Sequence, residues 1–227
     1  MSEDRETLEL IRQREEAAKI ISQDLNRIGE LKPTLISVMQ QIRKVSGCEA
    51  IGIRLYDEGD YPYYVWDGFK EEFIKKENSL IARDAKGNRI MTPDGEAYEL
   101  ECMCGNVICS KVNPSKPFFT PKGSFWTNNT SALLVSQTEA DLQGKTRNFC
   151  NICGYESVAL IPIKNKSGIV GLIQLNDKRI GGFNREFIEY IEMLAEHIGI
   201  AIQNHFLQQK LEVAFNEIRK LQKMLGK

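Results

Sequence analysis

Apolar residues recur at helical spacing over the first part of the chain. Leu8, Ile11, Ala18, Ile21, Leu25 and Ile28 follow steps of three, four and seven, which predicts a helix with one apolar face. Gly29 and Pro33 interrupt that stripe. Pro33 opens a second helix, because proline suits a first turn and harms a helix interior. Leu35, Val38, Ile42 and Val45 lie on one side of it, and Gly47 ends it. The period then changes to two. Ile51, Ile53 and Leu55 alternate along a predicted strand, Glu58-Gly59-Asp60 turns, and Tyr63 to Trp66 returns. A second hairpin is predicted from Ser157 to Lys164 and Ile169 to Asn176, joined by Asn165-Lys166-Ser167-Gly168. Between the hairpins, about residues 78–129 are rich in Gly, Pro and Asn. That stretch is too long for a simple loop and reads as a functional insertion or lid.

The last apolar stripe starts after Asn184, a good N-cap, with Glu186 in the first turn. Phe187, Ile191, Leu194, Ile198 and Ala201 keep helical spacing. Leu207, Leu211, Ala214, Ile218, Leu221 and Leu225 then alternate in steps of four and three, with Glu212, Arg219 and Lys223 elsewhere on the helix. Two readings stay open: a coiled-coil seam, or one amphipathic helix packed on its own domain. Amphipathic helices at both ends favour a homodimer. The order helix, hairpin, irregular middle, hairpin, helix has no βαβ repeat, so the expected class is α+β, an antiparallel sheet with helices on one side. The expected division is 1–32 as an amphipathic helix, 33–205 as the domain and 206–227 as a coiled-coil or signalling helix.

Charge and composition narrow the function. With 30 basic and 31 acidic residues, the net charge of -1 leaves no electrostatic footprint for nucleic acid. The longest apolar run, Val158 to Ile163, is far short of a membrane span and reads as a buried strand. The charged N-terminus lacks the apolar segment of a secretory signal. A cytoplasmic location is therefore expected, where thiols stay reduced.

Six cysteines then need a reading other than structural disulfides. Cys48 stands apart and reads as a small buried residue. Cys102-Met103-Cys104 and Cys150-Asn151-Ile152-Cys153 are close pairs, and two such pairs suit one soft metal. Cys102, Cys104, Cys150 and Cys153 would make a four-thiolate site for zinc or an iron–sulfur cluster, although Cys-x-Cys is tighter than the usual spacer. Redox-active thiols and inert thiols lining a pocket are the competing readings. His197 and His205 both fall in the closing helix, where packing or surface roles are expected. Phe118, Phe119, Phe125 and Trp126 either wall a ligand pocket or anchor the long middle segment. Arg147 and Asn148 are candidates to bind an anion or carboxylate, with a surface salt bridge as the alternative for Arg147. No Ser/His/Asp set, Walker loop or His-Glu-x-x-His helix is present.

Gly154 to Ile163, followed by Gly168 to Asp177, resembles the terminal hairpin of GAF domains. Phe183 to Ala201 resembles the GAF closing helix, and Leu35 to Leu55 the first helix and strand. Glu101-Cys102-Met103-Cys104-Gly105-Asn106-Val107, Pro117 to Thr120, Gly123 to Asn128 and Thr146-Arg147-Asn148 resemble a Cys-x-Cys-Gly subgroup found with bacterial and archaeal sensor histidine kinases. The resemblance implies a sensory domain that binds a small ligand, metal or redox cofactor near the cysteines and relays the change through coiled-coil helices. It favours a three-thiol set of Cys102, Cys104 and Cys150, and adds haem to zinc and an iron–sulfur cluster as cofactor candidates. A histidine kinase or another output protein is the implied partner. No kinase core, phosphoacceptor helix or cyclase segment is recognisable up to Lys227, so a stand-alone sensor and a fragment of a longer protein are both compatible expectations.

The main alternative is an enzyme. Cys104-Gly105 and Cys150 ahead of Glu156-Ser157-Val158 are similar in order to the cysteines of the free methionine-(R)-sulfoxide reductases, whose chemistry needs an attacking thiolate and a resolving thiol. The Cys-x-Cys pair, the long insertion and the long helices depart from those compact enzymes, so the expectation is a non-enzymatic sensor. A third reading is a coiled-coil adaptor with a degenerate domain.

Overall fold

The computed structural model describes residues 2–27 and 29–225. Ile28 of the N-terminal stripe, and the side chain of Leu225 in the seam, lie outside the described residues.

Helix α1 (Ser2–Leu25) leads into α2 (Leu31–Ser46). Gly47 ends α2 in the left-handed region, at φ 59°, and its N–H returns to the carbonyl of Arg43 at 2.9 Å. Strands β1 (Ala50–Leu55) and β2 (Tyr63–Asp67) form the first hairpin, and β4 (Ser157–Asn165) and β5 (Gly168–Asp177) the second. The middle segment carries α3 (Glu71–Glu77), α4 (Cys102–Ile108), β3 (Phe125–Thr127), α5 (Thr130–Ser136) and α6 (Phe149–Ile152). These short elements lack a sustained period and were not visible in the hydrophobic pattern. The chain closes with α7 (Arg185–Leu225), whose N-cap Asn184 accepts from the N–H of Phe187 at 2.8 Å. Residues 205 and 206 lie within this one continuous helix.

The five strands form one antiparallel sheet in the order β2-β1-β5-β4-β3. As expected for an α+β chain, the long helices gather on one face. Leu35, Val38 and Ile42 of α2 and Ile188, Ile191, Leu194 and Ile198 of α7 pack on Ile51, Ile53, Ile161, Ile173 and Leu175. Cys48 joins this core, as expected of a small buried residue. Helix α1 adds Ala17 and Ile21, both buried. Gly199 lets α7 press against β4, since a Cβ there would stand 1.9 Å from the Lys164 carbonyl oxygen.

The opposite face of the sheet is covered too. Phe69, Phe73, Leu80, Leu100, Met103, Val107 and Phe118 from the middle segment pack on Val158, Leu160 and Leu172. All six residues of β1 are therefore buried, not only the three that alternate toward the helices. No helix among the described residues is long and apolar enough to cross a membrane.

Candidate functional site

The second face holds polar groups that an apolar sheet would not need. Arg54, Gln174 and Asn176 occupy alternate positions to the core-facing residues of β1 and β5, and all three are fully buried. The Arg54 guanidinium donates to the carbonyls of Tyr61 at 2.9 Å, Asn78 at 3.0 Å and Glu77 at 2.6 Å. It also stacks over the Tyr63 ring, 3.6 Å from its centroid. Gln174 is the hub between two thiols. Its Oε1 accepts from Tyr63 at 2.7 Å and lies 3.7 Å from the Cys104 sulfur, while its Nε2 donates to the Cys150 sulfur at 3.5 Å and to Asn176 Oδ1 at 3.0 Å. The Asn176 side-chain nitrogen has no hydrogen-bond partner among the described residues, although it faces Cys150.

The thiols are placed by two short helices. Cys102 opens α4 with φ 70°, an unusual left-handed conformation for a non-glycine residue. Gly105 follows because α4 runs hard against the preceding chain. A Cβ there would sit 2.8 Å from the Leu100 carbonyl carbon. Cys150 sits on α6, which follows Asn148 in the left-handed region. Cys102, Cys104 and Cys150 line one cavity of about 60 Å³ together with Phe125, Leu133, Leu134 and Asn148.

The environment separates these thiols. The neighbouring Cys104 thiol, aided by the Arg147 backbone N–H and charge, holds the Cys102 thiol below its ordinary range despite burial. The same contact raises Cys104, with burial adding to it. Burial pushes Cys150 up to about 12.

The remaining sequence candidates fall in different places. Cys153 is partly exposed at the end of α6 and does not line the cavity, so the four paired cysteines do not meet around it. Among the described residues, no group of three or more His, Cys, Asp or Glu side chains is disposed to hold a metal ion. Phe125 and Asn148 line the cavity, while Trp126, the next residue on β3, points to the helix side of the sheet. Arg147 binds carboxylates of this chain, with Nε 2.7 Å from Glu101 and a terminal nitrogen 3.6 Å from Glu77. Burial raises Glu77 to about 7, with Arg147 opposing that shift. Gln174, Asn176, Tyr63 and Arg54 were not among the sequence candidates. Their signal was polar side chains inside otherwise apolar strands, Gln174 and Asn176 two residues apart on β5 most plainly.

A model described as GAF domain matches residues 30–202. Among solved structures, the chain is similar to the GAF domain of a phosphoenolpyruvate-protein phosphotransferase from Coxiella burnetii, at 14% identity and TM-score 0.58, covering 88% of this chain and 98% of that one. It is similar to a domain of a putative two-component sensor histidine kinase protein from Sinorhizobium meliloti 1021, at 12% identity and TM-score 0.53, covering 82% and 99%. It is also similar to free methionine-R-sulfoxide reductase from Neisseria meningitidis, solved with its substrate, at 10% identity and TM-score 0.56, covering 86% and 91%. No curated protein matches the chain.

Proposed function

Because this chain belongs to the GAF domain family, we propose that it is a sensory domain whose cavity at Cys102, Cys104 and Cys150 takes a small ligand and whose α7 helix carries the response. The observation that carries this reading is a physical link between the cavity and α7. Phe125, a cavity wall, packs with Phe118 and Phe119 on the segment 118–125. That segment is tied to α7 by the hydroxyls of Thr120 and Ser124, which both donate to Glu192 Oε1, and by Lys122 on Glu196 at 2.7 Å. A ligand that displaces Phe125 therefore pulls on α7 through buried hydrogen bonds, and the two states of the segment bind it differently. Beyond the domain, α7 exposes Leu207, Leu211, Ile218 and Leu221, the seam through which two copies join and pass the shift on.

A thiol reagent tests this. In protein carrying Cys109→Ser and Cys153→Ser, methyl methanethiosulfonate adds a methylthio group as the cavity thiolate displaces methanesulfinate. Hydrogen exchange over residues 206–225 is expected to change on labelling, and not in a variant that also lacks Cys102, Cys104 and Cys150. Unchanged exchange in labelled protein sinks the sensory reading.

A second reading rests on the thiol pair itself. Cys102 and Cys104 meet the need of a sulfoxide reductase for a thiolate with a second thiol beside it, the sulfoxide being reduced to thioether and water as two thiols become a disulfide. Thioredoxin-dependent turnover of free methionine-(R)-sulfoxide decides for it, and no turnover decides against.

A further inference from the structure

On the helix side of β3 lies a second cleft, of about 300 Å³, that the cysteine cavity does not reach. The segment 114–121 forms one side, with Pro114, Pro117 and Pro121, and α7 forms the other, with Arg185, Glu189 and Glu192. Trp126 closes the end at the sheet.

Of the four charged side chains that line this cleft, all but one are ion-paired within the chain. Arg185 spends its charge on Glu189, at 2.9 Å. Lys116 is held by Asp141 at 2.5 Å. Lys122, beyond the segment, is held by Glu196, and Lys164 donates to the Lys122 carbonyl at 2.6 Å. Glu192 remains. Its side chain is buried, at 5% exposure, yet no basic group lies within 4 Å of it among the described residues. Both hydroxyl donors reach Oε1, and no described hydrogen bond reaches Oε2. A buried carboxylate without a cation is expensive, and a bound cation removes that cost.

The walls select the kind of cation. Trp126 offers the aromatic face that attracts cations most strongly. Prolines have no N–H, so that side of the cleft presents no backbone donors at those positions to an anion. A neutral molecule leaves the Glu192 charge uncompensated. The volume is at the small end of the range for drug-sized ligands, about 300 Å³ upward, and leaves ample room for a small cation. We propose that this cleft binds a small organic ammonium ion, its N–H groups on Glu192 and its carbon body against Trp126. The cleft stands apart from the cysteine cavity but shares Thr120 and Glu192 with the proposed relay; its test reads ethylammonium binding and not exchange in α7, so the two readings fail separately.

The chain has two tryptophans, and Trp66 lies on β2 at the opposite edge of the sheet, so Trp66→Phe leaves Trp126 as the only indole reporter. Titrating that variant with ethylammonium chloride is expected to give a saturable change in emission that equal sodium chloride does not give. Glu192→Gln keeps the side-chain size and the acceptor for both hydroxyls, and is expected to weaken ethylammonium binding about tenfold or more, the scale of a charge-assisted hydrogen bond. No saturable change, the same change with sodium chloride, or equal affinity in Glu192→Gln overturns the proposal. Should Glu192→Gln fail to fold by circular dichroism, calorimetry on Trp126→Leu decides. Binding weakened about tenfold supports the site, and unchanged binding overturns it.

Discussion

The Tyr63 hydroxyl crosses a whole strand to reach Gln174, donating at 2.7 Å from β2 to β5 over the intervening β1. It can do so because β1 has Gly52 opposite Gln174. A Cβ at Gly52 would meet the Tyr63 ring at 2.7 Å. The ring lies flat across that gap, and Gln174 is thereby fixed to face Cys104 and Cys150. Tyr63→Phe removes the donor and leaves a buried oxygen with only the weak thiol of Cys104. A loss of about 1–3 kcal/mol is expected, read by urea unfolding. Faster alkylation of Cys150 should accompany it, since its orienting amide is released. Wild-type stability and thiol reactivity in that variant would contradict the role given to Gln174.

Glu77 makes stability depend on pH. Burial raises its carboxyl to about 7 in the folded chain, whereas the ordinary value is 4.5. The folded state thus holds this proton more tightly than the unfolded one. The contribution is complete below the ordinary value and is lost as pH rises through about 7. Between about pH 5 and pH 8 the wild type should lose stability that Glu77→Gln does not lose, by urea unfolding across that range. Parallel profiles for the two proteins would refute the assignment.

Gly199 tests the seating of α7 on the sheet. In an exposed helix, Gly→Ala stabilises by about 1 kcal/mol. Here the new methyl would overlap the Lys164 carbonyl. Overpacking costs about 1–3 kcal/mol, so Gly199→Ala is expected to destabilise on balance. A rise in melting temperature would show that α7 can lift off β4 at little cost.

The seam on α7 predicts self-association without a change in the domain. Leu211 and Ile218 are more than half exposed and lie outside the buried core, so Leu211→Glu with Ile218→Glu leaves the packing of the sheet domain intact. Sedimentation is expected to show a dimer for the wild type and a monomer for the double variant, with unchanged thermal unfolding of the sheet domain. A wild-type monomer at all concentrations would remove the dimer from the proposed relay.

Much of the architecture could be read from periodicity, because burial on one face leaves a record at intervals of two or about 3.6 residues. The two hairpins, Gly47, Pro33 and Asn184 mark their elements in the sequence alone. The Cys102 and Cys104 pair was legible too, since neighbours in sequence are neighbours in space, whereas its meeting with the distant Cys150 depends on the fold. What the sequence left open was direction. Strand β3 is three residues long, too short for its alternation to be recognised, and that alternation sends Phe125 to the cavity and Trp126 to the opposite face. Helix α6 makes barely one turn, enough to turn Cys150 inward and leave Cys153 outside. Arg147 found its carboxylates on Glu77 and Glu101, which only the folded middle segment brings to it. Local spacing is set by the chain itself. Which charge meets which, and which face a short element shows, is set by contacts between distant segments, and those exist only once the chain is folded.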